Sequence, residues 1–263
     1  MTILTAKGSF AKAYGTQFTA EVTSIRERGE AKFNKKLTQA QVIIHNASTI
    51  TSTDLTTCLD RNFDFTRFVV KQVEGNSHAP HLVHISSMSI LDPTNDSVYG
   101  DVIAMTPYAY SKYLAETFCL KSSVERLSCV RFSTLFYKDP TKDGLSKLIY
   151  DAVRTKKITI FNGGEARRNF LPLDTAAAYV HKITEIQKPQ KDIYTLAAPV
   201  STSFYDVVQL LKKHVPDLVI EDKQISNGAP VLAEFSTASI DRLGRIDFSL
   251  EDEIIAYMTE LQI

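Results

Sequence analysis

The hydrophobic and polar positions of the chain follow two alternating periods. Short runs rich in β-branched residues are typical of buried strands, and longer segments that repeat apolar residues every three to four positions predict amphipathic helices. The predicted strands cover residues 2–5, 21–25, 41–45, 82–85, 127–132, 158–161 and 193–196. The predicted helices cover residues 53–73, 108–123, 144–155, 174–187, 203–214 and 250–261.

This alternation sets the fold class. Strands separated by helices are joined by crossovers, and crossovers build a mostly parallel sheet that is covered by helices on both faces. The sequence therefore predicts an α/β fold with a doubly wound parallel sheet, whose ligands bind at the carboxyl ends of the strands. The C-terminal third can add only a small second lobe.

Composition and charge exclude several classes of protein. The 263 residues include 30 Lys and Arg against 30 Asp and Glu, and 44% are hydrophobic, as expected of a soluble globular chain with a real core. The net charge is zero and basic residues cluster only in isolated pairs, so we expect no nucleic-acid partner. We also expect no membrane span, because no window approaches the roughly 18 apolar residues that one needs.

The cysteines indicate a compartment. Cys58, Cys119 and Cys129 have no metal-ligand spacing and form no even set, so the sequence predicts neither a metal site nor a disulfide framework. The N-terminus also lacks a basic stretch followed by an apolar segment. A reducing, cytoplasmic location is the expectation.

The segment after the first predicted strand is a candidate phosphate site. Ala6, Gly8, Ser9 and Phe10 lie where a nucleotide-binding fold places its glycine turn, before a helix N-terminus able to hold a pyrophosphate. Only one glycine is present in this turn. A plain strand-to-helix turn is therefore an equal alternative.

A tyrosine and a lysine four residues apart carry the candidate chemistry. Tyr108 and Lys112 share one face of a predicted helix, so an ammonium group can lie near a phenol. A free tyrosine has a pKa of about 10, and a neighbouring cation that lowers it would let the phenol exchange a proton with an alcohol or ketone near neutral pH. The spacing alone also occurs by chance on surface helices.

Polar residues at other strand ends support this assignment. Ser86 and Ser87 follow a buried strand just ahead of the tyrosine helix, and Asn46 and Ala47 follow an earlier strand. The carboxyl ends of parallel strands meet at one edge of a sheet, which brings these residues toward one site.

The order of these motifs resembles the extended short-chain dehydrogenase/reductases, the group of NAD(P)-dependent nucleotide-sugar epimerases, dehydratases and reductases. The combination of Ser87 with Tyr108-x-x-x-Lys112 is the most specific part of the resemblance, which also covers Phe10, Asn62 and residues 42–47, 85–87, 107–116, 130–134, 163–174 and 239–248. It implies a Rossmann-like dinucleotide-binding core of residues 1–136, to which residues 174–198 return. Residues 137–173 and 199–263 would form a small substrate-binding lobe.

The resemblance also implies roles for single residues. Tyr108 would be the general acid/base, Lys112 would bind the nicotinamide ribose and lower the pKa of Tyr108, and Ser87 would hydrogen-bond the substrate oxygen. Met88 would also contact the substrate, and Arg168 would contact its nucleotide part, unless it is a surface arginine. The residues implied to bind the cofactor are Ala6, Gly8, Ser9, Phe10, Arg26, Arg28, Asn46, Ala47, Tyr108, Lys112 and Thr134.

The chain departs from the family pattern at the cofactor end. Ala6, Ser9 and Lys12 replace the three glycines of Gly-x-x-Gly-x-x-Gly, and only fifteen residues separate Arg26 from Val42, where the family usually places an extra strand. Arg26 and Arg28 stand where an acidic residue would bind the ribose hydroxyls of NAD. Arginine there favours the 2′-phosphate of NADP, with a solvated turn as the alternative.

These observations and the resemblance predict an NAD(P)-dependent reductase of a nucleotide-activated keto-sugar, most simply of the 4-keto-6-deoxy type, with NADP as the expected cofactor and NAD as the alternative. Hydride would come from the nicotinamide and the proton from Tyr108. Met88 and Ser89 stand after Ser87 in place of the acid pair of the family's dehydratases, which argues against elimination. The alternatives are an NAD-dependent nucleotide-sugar epimerase and a non-catalytic nucleotide-binding sensor or scaffold. A homodimer is a further expectation.

Overall fold

The structure is a computed structural model that describes residues 1–50, 53–91, 106–225 and 235–262. Its strands are β1 (Thr2–Leu4), β2 (Glu21–Val22), β3 (Val42–His45), β4 (His81–Ser87), β5 (Leu127–Phe132), β6 (Thr134–Phe136), β7 (Lys157–Phe161), β8 (Arg167–Arg168), β9 (Phe170–Pro172), β10 (Asp192–Leu196), β11 (Thr202–Ser203) and β12 (Val219–Lys223). Its helices are α1 (Ser9–Gln17), α2 (Ala31–Gln39), α3 (Leu55–Cys58), α4 (Phe65–Glu74), α5 (Pro107–Lys121), α6 (Gly144–Thr155), α7 (Leu173–Thr184), α8 (Phe204–His214), α9 (Ala238–Leu243) and α10 (Leu250–Gln262). A π-helical turn, Leu59–Asp64, joins α3 to α4.

Six strands form the central sheet in the order β10-β5-β4-β3-β1-β2, and every neighbouring pair is parallel. This confirms the predicted α/β class and its doubly wound sheet. The chain runs outward from β1 to β2 on one side and then through β3, β4, β5 and β10 on the other. The order reverses between β1 and β3, and a parallel sheet binds its ligands in the crevice beyond the carboxyl ends of the strands at such a point.

Helix α2 occupies the connection between β2 and β3, for which the sequence pattern predicts no element. Its buried side chains are Phe33 and Leu37, which lie one turn apart, and the Phe33 ring packs 6.0 Å from that of Phe65. Two apolar residues are too few to show a helical period. Residues 23–41, all of which the structure describes, therefore hold a helix where the family usually has a strand, and the sheet ends at β2.

Two apolar layers cover the central sheet. On one face α1 and α7 pack Tyr14 and Tyr179 into a cluster that contains Val83 of β4. On the other face α2 and α4 contribute Phe33 and Phe65 to a cluster with Leu82, the neighbour of Val83. Successive residues of β4 thus point to opposite faces, and burial of both layers supplies the main driving force for folding.

A third apolar cluster lies outside the central sheet. It collects buried side chains of β7, α6, α8 and α10, among them Ile158, Ile149, Leu211 and Tyr257. Strand β7 pairs in parallel with β12, and β6 pairs in parallel with β9. Apart from β6, which the sequence assigns to the end of the core, these are elements of the predicted small lobe, whose boundaries stay a prediction.

The predicted elements differ in how well they match the structure. Helix α6 and strand β5 begin and end at the predicted residues. Strand β12 has no counterpart among the predicted elements, because most of its residues are exposed and polar and give no alternating pattern. Among the described residues, no helix combines the length and the apolar character needed to cross a bilayer.

Candidate active site

One side chain holds the turn after β1 to the end of β3. Asn46 Oδ1 accepts a hydrogen bond from the backbone N–H of Ala6 (3.1 Å), and Asn46 Nδ2 donates to the Ala6 carbonyl (3.0 Å). This reciprocal pair spans the crevice where the strand order reverses. Asn46 therefore positions the turn that the sequence assigns to the cofactor.

The N-terminus of α1 is open to an anion. Gly8 precedes the helix, and within the described chain no side chain caps the N–H groups of α1 and no acidic residue lies in its first turn. The backbone of Gly8 is extended, so its conformation does not require glycine, but a Cβ built there would meet no atom within 4 Å. The space in front of the turn, which a pyrophosphate would need, is therefore open despite the replaced glycines.

An asparagine in the π-helical turn joins two parts of the site. Asn62 Oδ1 accepts from the Thr49 backbone N–H (2.7 Å), and Asn62 Nδ2 donates to Ser111 Oγ (2.9 Å). Ser111 Oγ donates in turn to the Tyr108 carbonyl (2.8 Å). One buried amide thus connects the loop after β3 to the first turn of α5. The sequence singles out Asn62 only through the family resemblance, because a polar residue within a helical run carries no signal of its own.

His45 is a structural residue at the end of β3. Its Nδ1 lies 2.8 Å from Thr5 Oγ1, and its Nε2 lies 2.9 Å from Thr66 Oγ1. Burial, assisted by the nearby charge of Lys112, lowers the pKa of His45 to about 3. The imidazole is therefore neutral and braces β1 and α4 against β3.

Three hydroxyl groups meet at Tyr108. This residue lies in the first turn of α5, where Thr106 caps the helix and Pro107 occupies its first position. Ser87 at the end of β4 and Ser48 after β3 line the same cavity as Tyr108, and both act on its hydroxyl. Burial raises the pKa of Tyr108 above its ordinary value, and the two serines act in the opposite direction. Ser87 and Tyr108 come together as the sequence predicts, and Ser48 is an addition.

Lys112 lies one turn further along α5 and is only 1% exposed. Its Nζ donates a hydrogen bond to the Ile85 carbonyl at the end of β4. Burial lowers the pKa of Lys112 to about 8, and Glu116 is among the groups that oppose this shift. Because burial dominates the pKa of Tyr108, a lowering of that pKa by Lys112 stays a prediction.

A buried ion pair below Lys112 ties α5 to β5. Arg131 Nε lies 3.2 and 3.1 Å from the two carboxylate oxygens of Glu116, and the two side chains are 7% and 4% exposed. A guanidinium that faces both oxygens of a carboxylate has the geometry of a strong ion pair. The helix that carries Tyr108 and Lys112 is therefore locked to the sheet at its centre.

One cavity of about 360 Å³ collects these groups at the carboxyl ends of β3, β4 and β5. Its volume lies near the lower end of the range of roughly 300–1,000 Å³ that is usual for ligand pockets. Six of the predicted site residues line it together: Phe10, Asn46, Ser87, Tyr108, Lys112 and Thr134. The rest of its lining is Ser48, Ile50, Ile85, Ser86, Phe132, Ser133, Leu135, Tyr137, Lys142 and Asp143.

A second cavity, of about 510 Å³, lies at the ends of β1 and β2 and is lined by Ala6, Lys7, Ser24, Ile25, Arg26, Glu27 and Glu30. The two cavities flank the turn before α1, one on the Ala6 side and one on the Phe10 side. A dinucleotide across this crevice would place one nucleotide in each cavity and its pyrophosphate at the α1 N–H groups. The residues present therefore fit such a cofactor.

The two predicted phosphate-binding arginines are separated in the structure. Arg26 lines the second cavity. Arg28 Nη1 instead lies 3.3 Å from Asp60 Oδ1, and its guanidinium lies over the ring of Phe68. Arg26 is therefore the better placed of the two to meet a ligand.

Several other predicted site residues are not among the described residues that line the two cavities. Gly8 and Ser9 contribute through the turn, whereas Ala47 and Met88 are buried at 3% and 6% exposure. Arg168 is half-buried in β8, where its Nη1 donates to the Arg167 carbonyl (3.0 Å) and burial lowers its pKa. The assigned roles of these residues stay predictions.

These features define a parallel α/β protein with a dinucleotide-sized crevice and a Ser, Tyr and Lys set at its edge. The model of the NAD dependent epimerase/dehydratase family matches residues 5–197, which is more than half of the chain. The chain belongs to this family, and it is an NAD(P)-dependent enzyme of the extended short-chain dehydrogenase/reductase type.

Solved structures share the fold over the whole length of the chain. TunA, an NAD-dependent NDP-hexosamine 5,6-dehydratase of tunicamycin biosynthesis, is 17% identical with a TM-score of 0.83, covering 99% of this chain and 97% of that one. UDP-glucuronic acid 4-epimerase from Bacillus cereus, bound to UDP-glucuronic acid and NAD, is 17% identical with a TM-score of 0.82, covering 100% and 99%. RMD from Pseudomonas aeruginosa, complexed with NADPH, is 13% identical with a TM-score of 0.80, covering 99% of each chain. No curated protein matches the sequence at a significant level.

Proposed function

We propose that this enzyme is an NADP-dependent reductase of a nucleotide-activated keto-sugar of the 4-keto-6-deoxy type. The observation that supports this most directly is the convergence of Ser87, Tyr108 and Lys112 on one cavity beside the α1 turn. When bound, the cofactor would supply a hydride to the carbonyl carbon. The protein must then hold the sugar carbonyl and deliver a proton to its oxygen.

The polar groups of the cavity suit that task. Ser87 can donate a hydrogen bond to the carbonyl oxygen, and Tyr108 can donate its proton to the same oxygen as negative charge develops there. Because burial raises the pKa of Tyr108, the phenol is protonated at neutral pH and starts in the acid form that reduction requires. A protonated Lys112 stabilises the tyrosinate that remains and would hold the nicotinamide ribose.

The segment after Ser87 favours reduction over elimination. Elimination needs a further acid and base at the sugar, and positions 88–91 hold Met, Ser, Ile and Leu. Ser89 Oγ lies 2.9 Å from Ser87 Oγ, and Met88 is buried. The carboxyl groups that a dehydratase would use are therefore missing from this stretch.

We propose NADP rather than NAD as the cofactor because of Arg26. Arg26 lines the second cavity with Lys7, and a guanidinium can bind a phosphate with two parallel hydrogen bonds. The RMD structure contains NADPH, whereas the Bacillus cereus epimerase contains NAD.

Replacement of Arg26 tests the choice of cofactor. Arg26→Ala should weaken NADPH binding about 10- to 150-fold, the loss expected for a charge-assisted hydrogen bond, and should leave NADH binding unchanged in calorimetry. Arg28→Ala is the matched control because Arg28 pairs with Asp60. Equal losses for both cofactors in Arg26→Ala would show that this arginine does not bind the 2′-phosphate.

An NAD-dependent nucleotide-sugar epimerase is the second candidate. It is supported by the family model and by the fold shared with the UDP-glucuronic acid 4-epimerase. In that reaction Tyr108 would take a proton from a sugar hydroxyl and later return it, so the same residues would serve. Epimerisation would require a cofactor that stays bound through each turnover.

Two measurements on the purified protein separate the candidates. Nucleotides released on denaturation are identified by mass spectrometry, and NADPH consumption is followed with 4-keto-6-deoxyhexoses carried on UDP, dTDP and GDP. Exchangeable NADP together with NADPH oxidation would support the reductase. Tightly bound NAD, with sugar interconversion and no net cofactor consumption, would support the epimerase. Absence of both bound nucleotide and turnover would identify a non-catalytic sensor or scaffold.

We also propose a cytoplasmic location. Cys58, Cys119 and Cys129 are buried thiols, which suits a reducing compartment. The homodimer stays a prediction, which light scattering on the purified protein would test.

A further inference from the structure

Tyr137 is a second phenol in the cavity that holds Tyr108. It follows β6, its side chain is half-buried, and it lines the cavity together with Tyr108, Ser87 and Thr134. The proton transfer proposed above gives it no role. A phenol inside a small ligand cavity nevertheless adds both bulk and a hydrogen-bonding group to the site.

The backbone at Tyr137 is anchored to the start of α6. Its N–H donates to Asp143 Oδ2 (3.0 Å). Asp143 also caps α6, because its carboxylate accepts from the backbone N–H of Ser146 (2.8 Å). One carboxylate thus closes the loop between β6 and α6. The hydrogen bond to Asp143 fixes the backbone of Tyr137, and the fold therefore determines where the Tyr137 side chain begins.

The Tyr137 hydroxyl is available to a ligand and stays protonated. Among the described residues, the backbone N–H of Tyr137 donates to Asp143, and the hydroxyl has no hydrogen-bond partner. Burial, with Tyr108 and Asp143 acting in the same direction, raises the pKa of Tyr137 to about 12. A phenol that keeps its proton at neutral pH can donate one hydrogen bond and accept another, but it does not serve as a base.

The surroundings indicate what such a group would bind. Much of the cavity wall is apolar, including Phe10, Ile85, Phe132 and Leu135. A sugar hydroxyl that faces such a wall without a partner loses the hydrogen bonds it had in water, which costs affinity. A neutral donor and acceptor is the natural partner for a neutral hydroxyl, and Tyr137 supplies one close to Tyr108.

We propose that Tyr137 is a positioning and specificity-determining residue whose hydroxyl binds a ring hydroxyl of the sugar near the reacting carbonyl. The inference rests on the proposed keto-sugar reductase activity and names a residue that recognises the sugar of the substrate. Its effect is on binding and orientation of the sugar end of the substrate, while the nucleotide end binds independently of Tyr137.

Tyr137→Phe tests this contact because it removes only the hydroxyl. With NADPH and the 4-keto-6-deoxyhexoses on UDP, dTDP and GDP, the KM for the best substrate should rise about 3- to 10-fold, the loss of one neutral hydrogen bond. The turnover number should change little, the pH profile should be that of the wild type, and the affinity for the matching free nucleoside diphosphate should be unchanged. Tyr150→Phe, on the outer face of α6, is the matched control and should behave as the wild type.

The outcomes separate this inference from the function on which it rests. An unchanged KM in Tyr137→Phe would overturn the sugar contact while leaving the reductase intact. A loss of affinity for the free nucleoside diphosphate would overturn it too, by moving Tyr137 to the nucleotide end. If the wild-type enzyme oxidises NADPH with none of the three sugars and binds none of them in calorimetry, the proposed function fails and the inference fails with it.

Discussion

The Tyr108 hydroxyl lines the cavity beside Ser87 and Ser48, and Tyr108→Phe removes this proton donor without removing the ring. Tyr108→Phe should lower kcat by roughly 10²-fold or more, because a positioned general acid contributes about that much. The measurement is steady-state turnover with the best keto-sugar, with circular dichroism to check the fold. Tyr110→Phe, an exposed tyrosine on the same helix, is the control. Wild-type turnover in Tyr108→Phe would end its assignment as the proton donor.

Lys112 makes stability depend on pH at the alkaline end. Burial holds its pKa at about 8 in the folded protein, against 10.5 for the ordinary side chain. Between these values the unfolded chain binds more protons, so the folded state gains stability as pH rises from 8 toward 10.5. Below pH 8 the full cost of burying the charge applies.

The free energy of unfolding measures this effect directly. Between pH 7 and pH 10, wild type should gain roughly 2 to 3 kcal/mol relative to Lys112→Met, as a shift of this size implies. Urea titrations of both proteins at the two pH values provide the comparison, and the difference removes the titration of other groups. A difference that does not change with pH would show that Lys112 titrates normally in the folded protein.

At the scale of elements, a buried ion pair between Glu116 and Arg131 holds α5 against β5. Glu116→Gln leaves the Arg131 charge without its carboxylate and should cost about 3–5 kcal/mol in the free energy of unfolding. Asp64→Asn, in the exposed Arg67–Asp64 pair, should cost no more than about 1 kcal/mol. Urea unfolding at neutral pH compares the two. Equal small losses would mean that solvent reaches the Glu116–Arg131 pair.

Elements with many apolar residues are those that the sequence predicts well. Helix α6 buries Leu145, Leu148, Ile149 and Ala152 on one face, so its period is clear and its ends are predicted correctly. Helix α2 buries two apolar residues and shows no usable period. Hydrophobic periodicity predicts a helix from its buried apolar face, and a helix that is mostly exposed to solvent has too few apolar residues to show a period.

The site divides in a similar way. Ser87 follows a predicted strand, Tyr108 and Lys112 lie in the first two turns of a predicted helix, and all three line one cavity. The contribution of Tyr137 depends on the path of the loop between β6 and α6, which no local pattern encodes. The engagement of Arg28 with Asp60 is likewise a long-range pairing, across thirty-two positions of the chain. Such contacts follow only from the assembled fold.

At the scale of the whole molecule, the lobe elements are expected to hold the nucleotide end of the substrate. Arg168 lies in β8, which pairs with β11 and is separate from the central sheet, in residues predicted to form the lobe. Arg168→Ala should raise the KM for the nucleotide sugar by about 10-fold or more, the loss of a charged hydrogen bond, and leave NADPH affinity unchanged. Arg154→Ala, an exposed arginine of α6, is the control.

Separate titrations of substrate and cofactor check this division of labour. Loss of NADPH affinity in Arg168→Ala with a normal substrate KM would show that the two ligands are not divided between core and lobe. The nucleotide-sugar assignment would then lose its support, since the anchor for the nucleotide would be elsewhere.

The central sheet ends on one side in β2, which has only two residues. An edge strand normally exposes a row of unpaired N–H and C=O groups, and such a row can recruit a strand from another molecule. Here the chain turns away after the two residues of β2 and goes on to form α2. The exposed N–H and C=O groups of β2 are therefore too few to pair with a strand of another molecule. Replacement of the usual outer strand by a helix thereby protects this edge against the strand-by-strand association through which parallel sheets aggregate.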